Sequence, residues 1–143
     1  MENALSPRLR AILEALPLKP GLRVLEIGCG PGALAREIAR RIGHGHVLAI
    51  DRSAKAIAQA TAASPALVAS GVLSFRQSSI EDFDLPPEEA QFDLALAVRV
   101  GALDGRHPEA GARALRRIAA VMRPGGQLLI DGGNPLREVS LTQ

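Results

Sequence analysis

Three glycines within five positions, set between an apolar run and a helix-forming segment, constrain this chain more than any other feature. The stretch is RVLEIGCGPGALAREIARR, residues 23–41. It reads as a short strand, a tight turn and a helix. Gly28, Gly30 and Ala33 satisfy G-x-G-x-x-G/A, the pattern of turns that hold dinucleotides. Glycine at 28 and 30 lets the backbone turn sharply and lets a ligand approach closely. Two residues ahead of Gly28 stands a carboxylate, Glu26, an odd choice for a site built to hold phosphate.

The rest of the chain supplies the frame for that turn. Leu5, Leu9, Ile12, Leu13 and Leu16 repeat at helical spacing, and Pro17 with Pro20-Gly21 ends the helix. After the glycine helix comes a turn, GHGH, and a second strand, VLAID, closing at Asp51. SAKAIAQATAA is a helix with Ser53 at its N-cap, SPALVASG a short helical or looped link, and VLSFRQ a third strand. The polar, Pro-rich SSIEDFDLPPEEAQ is a surface loop. DLALAV is a fourth strand, apolar almost throughout as a strand buried on both faces should be. HPEAGARALRRIAAVM is a long helix stopped by Pro124-Gly125-Gly126, and QLLID is a fifth strand. The tail from residue 132 to 143 shows no clear helical period.

Strands alternating with helices predict an α/β fold: three αβα layers around a mainly parallel sheet of about five strands in the order 3-2-1-4-5, in a single Rossmann-like domain over 1–143. The lead-in is 1–20, the core 21–131 and the tail 132–143. A ligand is expected at the carboxyl ends of the strands, where the order reverses between strands 1 and 4, and the glycine turn falls there.

Asp51 ends the second strand about 20 residues beyond the turn, where a ribose-binding carboxylate belongs. A charge at the start of the next helix is its other reading. Glu26 and Pro31 bear on whether phosphate follows. A diphosphate uses backbone N–H groups at a helix N-terminus, and Pro31 removes one. Glu26 would place negative charge beside it. A ligand carrying an ammonium and a sulfonium has the opposite need. Glu26 has a second reading, as a cap on nearby backbone N–H groups, and the two are compatible.

VLEIGCGPG (24–32) resembles motif I of the class I S-adenosylmethionine-dependent methyltransferases, an acidic residue followed by G-x-G-x-G. LAID up to Asp51, FDLALAV (92–98) and LRRIAAVMRPGGQLLID (115–131) resemble the family's ribose site, fourth strand and late helix–turn–strand. The resemblance implies S-adenosyl-L-methionine as cofactor. It places Gly28, Cys29, Gly30 and Gly32 along the cofactor, with Glu26 near its amino group and Asp51 on its ribose hydroxyls. Arg52 falls where the family often packs an apolar residue on adenine, and a guanidinium could stack there. Ser79 stands in place of an aspartate that receives the adenine amino group, Ile80 lies against the ring, and Val98 and Arg99 end strand 4 beside the methyl group. Cys29 itself is expected to pack in the turn.

The sequence departs from the family in two places. The family's sheet has seven strands, the last two a hairpin beyond strand 5, and this chain stops soon after strand 5. Edges are usually covered. Either PLREVSL folds back over strand 5 or a second copy does, and a homodimer is the expectation. Nor is there a recognisable catalytic signature after strand 4. Asp104 and His107 are the candidate general bases, with a turn residue and a helix-start residue as their plain readings. His44 and His46 lie at the wrong end of the sheet and read as surface residues.

Composition narrows the partners. The net charge is +2, no block of like charge stands out, and aromatics are 2% of residues, which argues against single-stranded nucleic acid. Arg40-Arg41 and Arg116-Arg117 read as solvated helix faces. One cysteine excludes an internal disulfide. There is no metal-ligand spacing, no signal peptide and no membrane-spanning run, so a cytoplasmic protein is expected. The leading expectation is methyl transfer from S-adenosylmethionine to a small molecule. A cofactor-binding module without catalysis is the alternative. An NAD-dependent oxidoreductase ranks third, because Glu26, Pro31 and the lack of a substrate domain oppose it.

Overall fold

The computed structural model describes residues 5–86, 88–89 and 91–141. Six strands form one sheet: β1 (Arg23–Ile27), β2 (His46–Asp51), β3 (Leu73–Gln77), β4 (Phe92–Ala97), β5 (Met122–Asp131) and β6 (Leu136–Val139). Their order is β3-β2-β1-β4-β5-β6. The first five run parallel, as alternation of strands and helices requires, and β6 is antiparallel to β5.

Five α-helices are found among the described residues: α1 (Pro7–Ala15), α2 (Ala33–Ile42), α3 (Ala54–Ala62), α4 (Pro65–Ala69) and α5 (Pro108–Val121). Ser6 caps α1 by accepting the Leu9 N–H at 3.2 Å, and Ser53 caps α3 through Ala56 N at 3.1 Å. Strand side chains alternate between faces. One face, carrying Val24, Val47, Leu94 and Leu96, packs against Ile12 and Leu13 of α1 and Leu34, Ile38 and Ile42 of α2. The other, carrying Leu25, Ile27, Ile50 and Leu128, packs against Ala114, Ile118 and Val121 of α5. Glu26 shares its parity with Val24, so a carboxyl points into the first of these apolar layers.

Two expectations change here. PLREVSL does fold back: Leu136 to Val139 pair with Asp131 to Leu128 in antiparallel register. The chain's own β6 thus covers the edge of β5, and the reason for expecting a homodimer through that edge is gone. His46 is not a surface turn residue. It begins β2, half-buried, and its ring lies 2.7 Å from the Gly71 carbonyl and 2.9 Å from Ser74 Oγ, tying β2 to the start of β3.

One arginine is structural. Arg36, on α2, is 7% exposed. Its Nη1 donates to the Pro31 carbonyl at 2.9 Å and to Ser64 Oγ at 3.2 Å, linking the glycine turn to the α3–α4 junction. An Arg36→Ala variant removes a buried charged donor from two acceptors and is expected to lose about 2–3 kcal/mol of stability. Chemical denaturation checks this. A loss below about 0.5 kcal/mol would show that water replaces the guanidinium.

Candidate functional site

The glycine turn has spent its own donors. Gly28 and Cys29 N–H donate to the Ile50 carbonyl at 2.8 and 3.0 Å, and Gly32 N–H to the Cys29 carbonyl at 3.0 Å. Gly30 N–H donates to Asp51 Oδ2 at 2.9 Å. Pro31 has none. From 28 to 32 no backbone N–H is left for a phosphate, so the turn is not an anion cradle. These bonds also dispose of Glu26 as a cap for these N–H groups, since other acceptors hold them.

Asp51 closes β2 half-buried, where its two oxygens accept different backbone donors, Gly30 N–H on Oδ2 and Ser53 N–H on Oδ1, each at 2.9 Å. A carboxylate offers about four lone-pair sites, so half its capacity remains for a ligand. Glu26 is 4% exposed, and its Oε1 is buried without a hydrogen-bond partner among the described residues. Burial first, and then the nearby Asp51 charge, push its carboxyl up to about 8. Such an orphaned acid, beside a second carboxylate, is electrostatically fitted to a cationic donor.

A cavity of about 530 Å³ opens at the carboxyl ends of the strands, where the order reverses. Gly28, Asp51, Arg52, Ser79, Ile80 and His107 line it, six of the residues expected from the sequence. Gly28 has φ +75°, and a Cβ there would meet Val100 Cγ2 at 3.0 Å. Ser79 Oγ donates to Asp82 Oδ2 at 3.1 Å and accepts the Asp82 N–H at 3.3 Å, which fixes the loop after β3.

Arg99, expected beside the methyl group, lines the cavity too, and the remaining expected residues lie off that wall. Glu26 and Gly30 are not in it, although Gly30 holds Asp51 in place. The Cys29 side chain packs in the first apolar layer, where burial, Glu26 and Asp51 raise its thiol's pKa; it is a packing group, not a nucleophile. Gly32 is buried at φ +87°, and a Cβ there would touch Ala60, Arg36 and Phe75. It serves helix–sheet packing rather than the cavity. Val98 packs against the first apolar layer. Asp104 lines a neighbouring cavity, and its exposed carboxyl is held below the usual range by a hydrogen bond from Arg106.

Ser78, Glu81, Gly101, Ala102, Arg106 and Ala110 also line the main cavity, and no sequence motif marks them. They come from the loops after β3 and β4, whose course no local pattern specifies. Among the described residues no group of three or more His, Cys, Asp or Glu could hold a metal, and no helix is long and apolar enough to cross a membrane.

Comparison with known proteins fits this geometry. The profile of a family described as "Methyltransferase domain" matches residues 24–126. The chain is 32% identical over 138 residues to nocamycin O-methyltransferase of Saccharothrix syringae, covering 94% of this chain and 47% of that one. It is 39% identical over 123 residues to a protein-L-isoaspartate O-methyltransferase of Methylorubrum populi, covering 83% and 54%. A SAM-dependent methyltransferase from Thiobacillus denitrificans, solved with S-adenosyl-L-homocysteine, superposes with TM-score 0.67 at 26% identity, over 91% of this chain and 50% of that one. The [4+2]-cyclase SpnF superposes with TM-score 0.69 at 28% identity, over 85% and 42%. The chain spans about half the length of these relatives. The matched residues run from β1 into the first half of β5, the segment that builds the glycine turn, Asp51 and the cavity, and the chain belongs to the class I S-adenosylmethionine-dependent methyltransferase family.

Proposed function

We propose that this chain binds S-adenosyl-L-methionine in the cavity at the β1–β4 reversal and transfers its methyl group to a small-molecule acceptor. The observation that carries the reading is the buried, unpartnered Glu26 carboxyl beside Asp51, behind a turn with no N–H to give a phosphate. Two carboxylates and a spent turn suit a cationic nucleoside and oppose a diphosphate. That disfavours the NAD reading.

When bound, the cofactor supplies an electrophilic methyl carbon on a sulfonium. On this reading Asp51 accepts the ribose hydroxyls with its unused lone pairs, and Glu26, buried behind the wall near Asp51, acts on the amino group through its charge. Ile80, 4% exposed, gives the adenine an apolar wall, and Ser79 and Arg52 hold its rim. Val98 and Arg99 follow β4 beside the reacting carbon. The chain's work is mostly to orient two reactants. An acceptor that reacts as a protonated nucleophile needs a base, and the exposure of His107 on the cavity wall supports it as the candidate. Asp104 is engaged by Arg106 at 2.6 Å, and this favours the second reading, a cofactor-binding module that does not catalyse.

Calorimetric titration tests the proposal. S-adenosylhomocysteine should bind in the micromolar range, about −8 kcal/mol, and NAD⁺ should not bind. A Gly28→Ala variant should bind about tenfold more weakly, since relief of the left-handed strain, about 1–2 kcal/mol, and of the methyl's contact with Val100 moves the turn off its binding geometry. Binding of NAD⁺ with none of S-adenosylhomocysteine would overturn the reading. Radiolabelled methyl transfer to a mixture of small metabolites separates enzyme from module.

A further inference from the structure

A second cavity of about 470 Å³ adjoins the first and shares Arg99, Val100 and Arg106 with it. Its remaining wall includes Ala97, Leu103 and Ile130, which are apolar, and Arg137 of β6. Each of its acidic residues is already engaged. Asp131 Oδ2 takes Arg8 of α1 at 2.6 Å, its Oδ1 accepts the Arg99 N–H at 3.1 Å, and Asp104 holds Arg106. The guanidiniums of Arg99 and Arg137 have no hydrogen bond or ion pair among the described residues. Two uncompensated positive groups therefore border a pocket with an apolar floor.

The backbone at Arg99 supports a built site. It is the one described non-glycine residue with positive φ, at +58°, a conformation that disfavours any side chain. The Asp131 carboxylate holds it there through the Arg99 N–H. An arginine kept in a strained conformation between two cavities, with its head group unpaired, fits a role in binding rather than in packing.

We infer that the second cavity is the acceptor site and that the acceptor carries an oxyanion, a carboxylate or a phosphate ester, on a short aliphatic body. Arg99 and Arg137 hold the oxyanion, and Ala97, Leu103 and Ile130 hold the body. This rests on the proposed cofactor site only for its place in the reaction. Guanidinium forks match either oxyanion in geometry, so the probe must distinguish them.

The test measures binding of hexanoate, hexyl phosphate and hexanamide to the wild-type protein by NMR titration, with and without saturating S-adenosylhomocysteine. At least one anion should bind about tenfold or more tightly than hexanamide, the margin expected of charge-assisted hydrogen bonds to a carboxylate or phosphate. Arg137→Gln should weaken that anion about fivefold, with hexanamide unmoved, and Arg137→Lys should recover part of the loss. The variant's S-adenosylhomocysteine affinity reports whether it is folded. Hexanamide binding as well as both anions, or an Arg137→Gln variant with undiminished anion affinity, would overturn the inference. Anion preference in a protein that ignores S-adenosylhomocysteine would keep the oxyanion site and overturn its assignment to the acceptor, leaving the cofactor reading as the part that failed.

Discussion

An Asp51→Ala variant is expected to bind S-adenosylhomocysteine at least about a hundredfold more weakly than the wild type. On the proposed reading Asp51 makes two hydrogen bonds to ribose hydroxyls, and hydrogen bonds to a charged group contribute about 1.5–3 kcal/mol each. Their joint loss is about 3–6 kcal/mol, where each 1.4 kcal/mol is about tenfold. The same carboxylate accepts the Gly30 and Ser53 N–H groups, so its removal also loosens the turn and the start of α3. Asp51→Asn separates the two effects. The amide oxygen can accept one of those N–H groups, but the amide NH₂ cannot accept the other. The Asp51→Asn variant should thus retain more of the fold than Asp51→Ala while losing much of the affinity. Calorimetry with a thermal melt on each variant reads both quantities. Affinity within about threefold of wild type in a folded Asp51→Ala variant would remove Asp51 from the cofactor site.

Much of this architecture could be read from the chain because the determinants were local. Continuous apolar runs marked β2 and β4, and helical spacing marked α1 and α2. The glycine turn located the reversal of strand order, and the position of Asp51 followed from counting along the next unit. β6 entered only as one of two ways to cover strand 5, and not the favoured one, for the converse reason. LREV is four residues long, with two of them exposed, and carries no alternation strong enough to stand out. Only pairing with β5 makes it a strand. The burial of Arg36 was equally invisible, since an arginine on an amphipathic helix ordinarily faces water, and its acceptors lie at Pro31 and, 28 positions away, at Ser64. Arg99 is the instructive case. Its neighbours in sequence suggested a place near the methyl group, but its left-handed backbone is held by a hydrogen bond to Asp131, which is 32 positions away.

Glu26 sets up a conflict between stability and binding, and a Glu26→Gln variant should expose both sides of it. The folded protein holds a proton on this buried carboxyl up to about pH 8, whereas the unfolded chain releases it near the ordinary value of 4.5. Between those pH values the folded state binds more protons than the unfolded state. Stability conferred by the protonated acid is fully present below about pH 4.5 and is lost as pH rises to about 8, on the order of a few kcal/mol in total. Glutamine has the same shape and cannot ionise. Its melting temperature should match that of wild type near pH 5 and exceed it by roughly 10 °C near pH 8.5. The same substitution should weaken S-adenosylhomocysteine binding about tenfold or more, because a neutral amide loses the attraction to an ammonium that a carboxylate provides. Binding to the wild type should also draw the proton off: at pH 7 about nine-tenths of Glu26 carries one, so calorimetry in buffers of different ionisation enthalpy should register release of close to one proton per ligand, and none for Glu26→Gln. A variant that melts with the wild type at both pH values, and whose binding releases the same number of protons, would show that Glu26 is not the group that meets the ligand's charge. The opposite result would explain why this family site tolerates an unpartnered acid in its core: an acid stabilised as neutral in the empty protein becomes the counter-charge when a cation arrives.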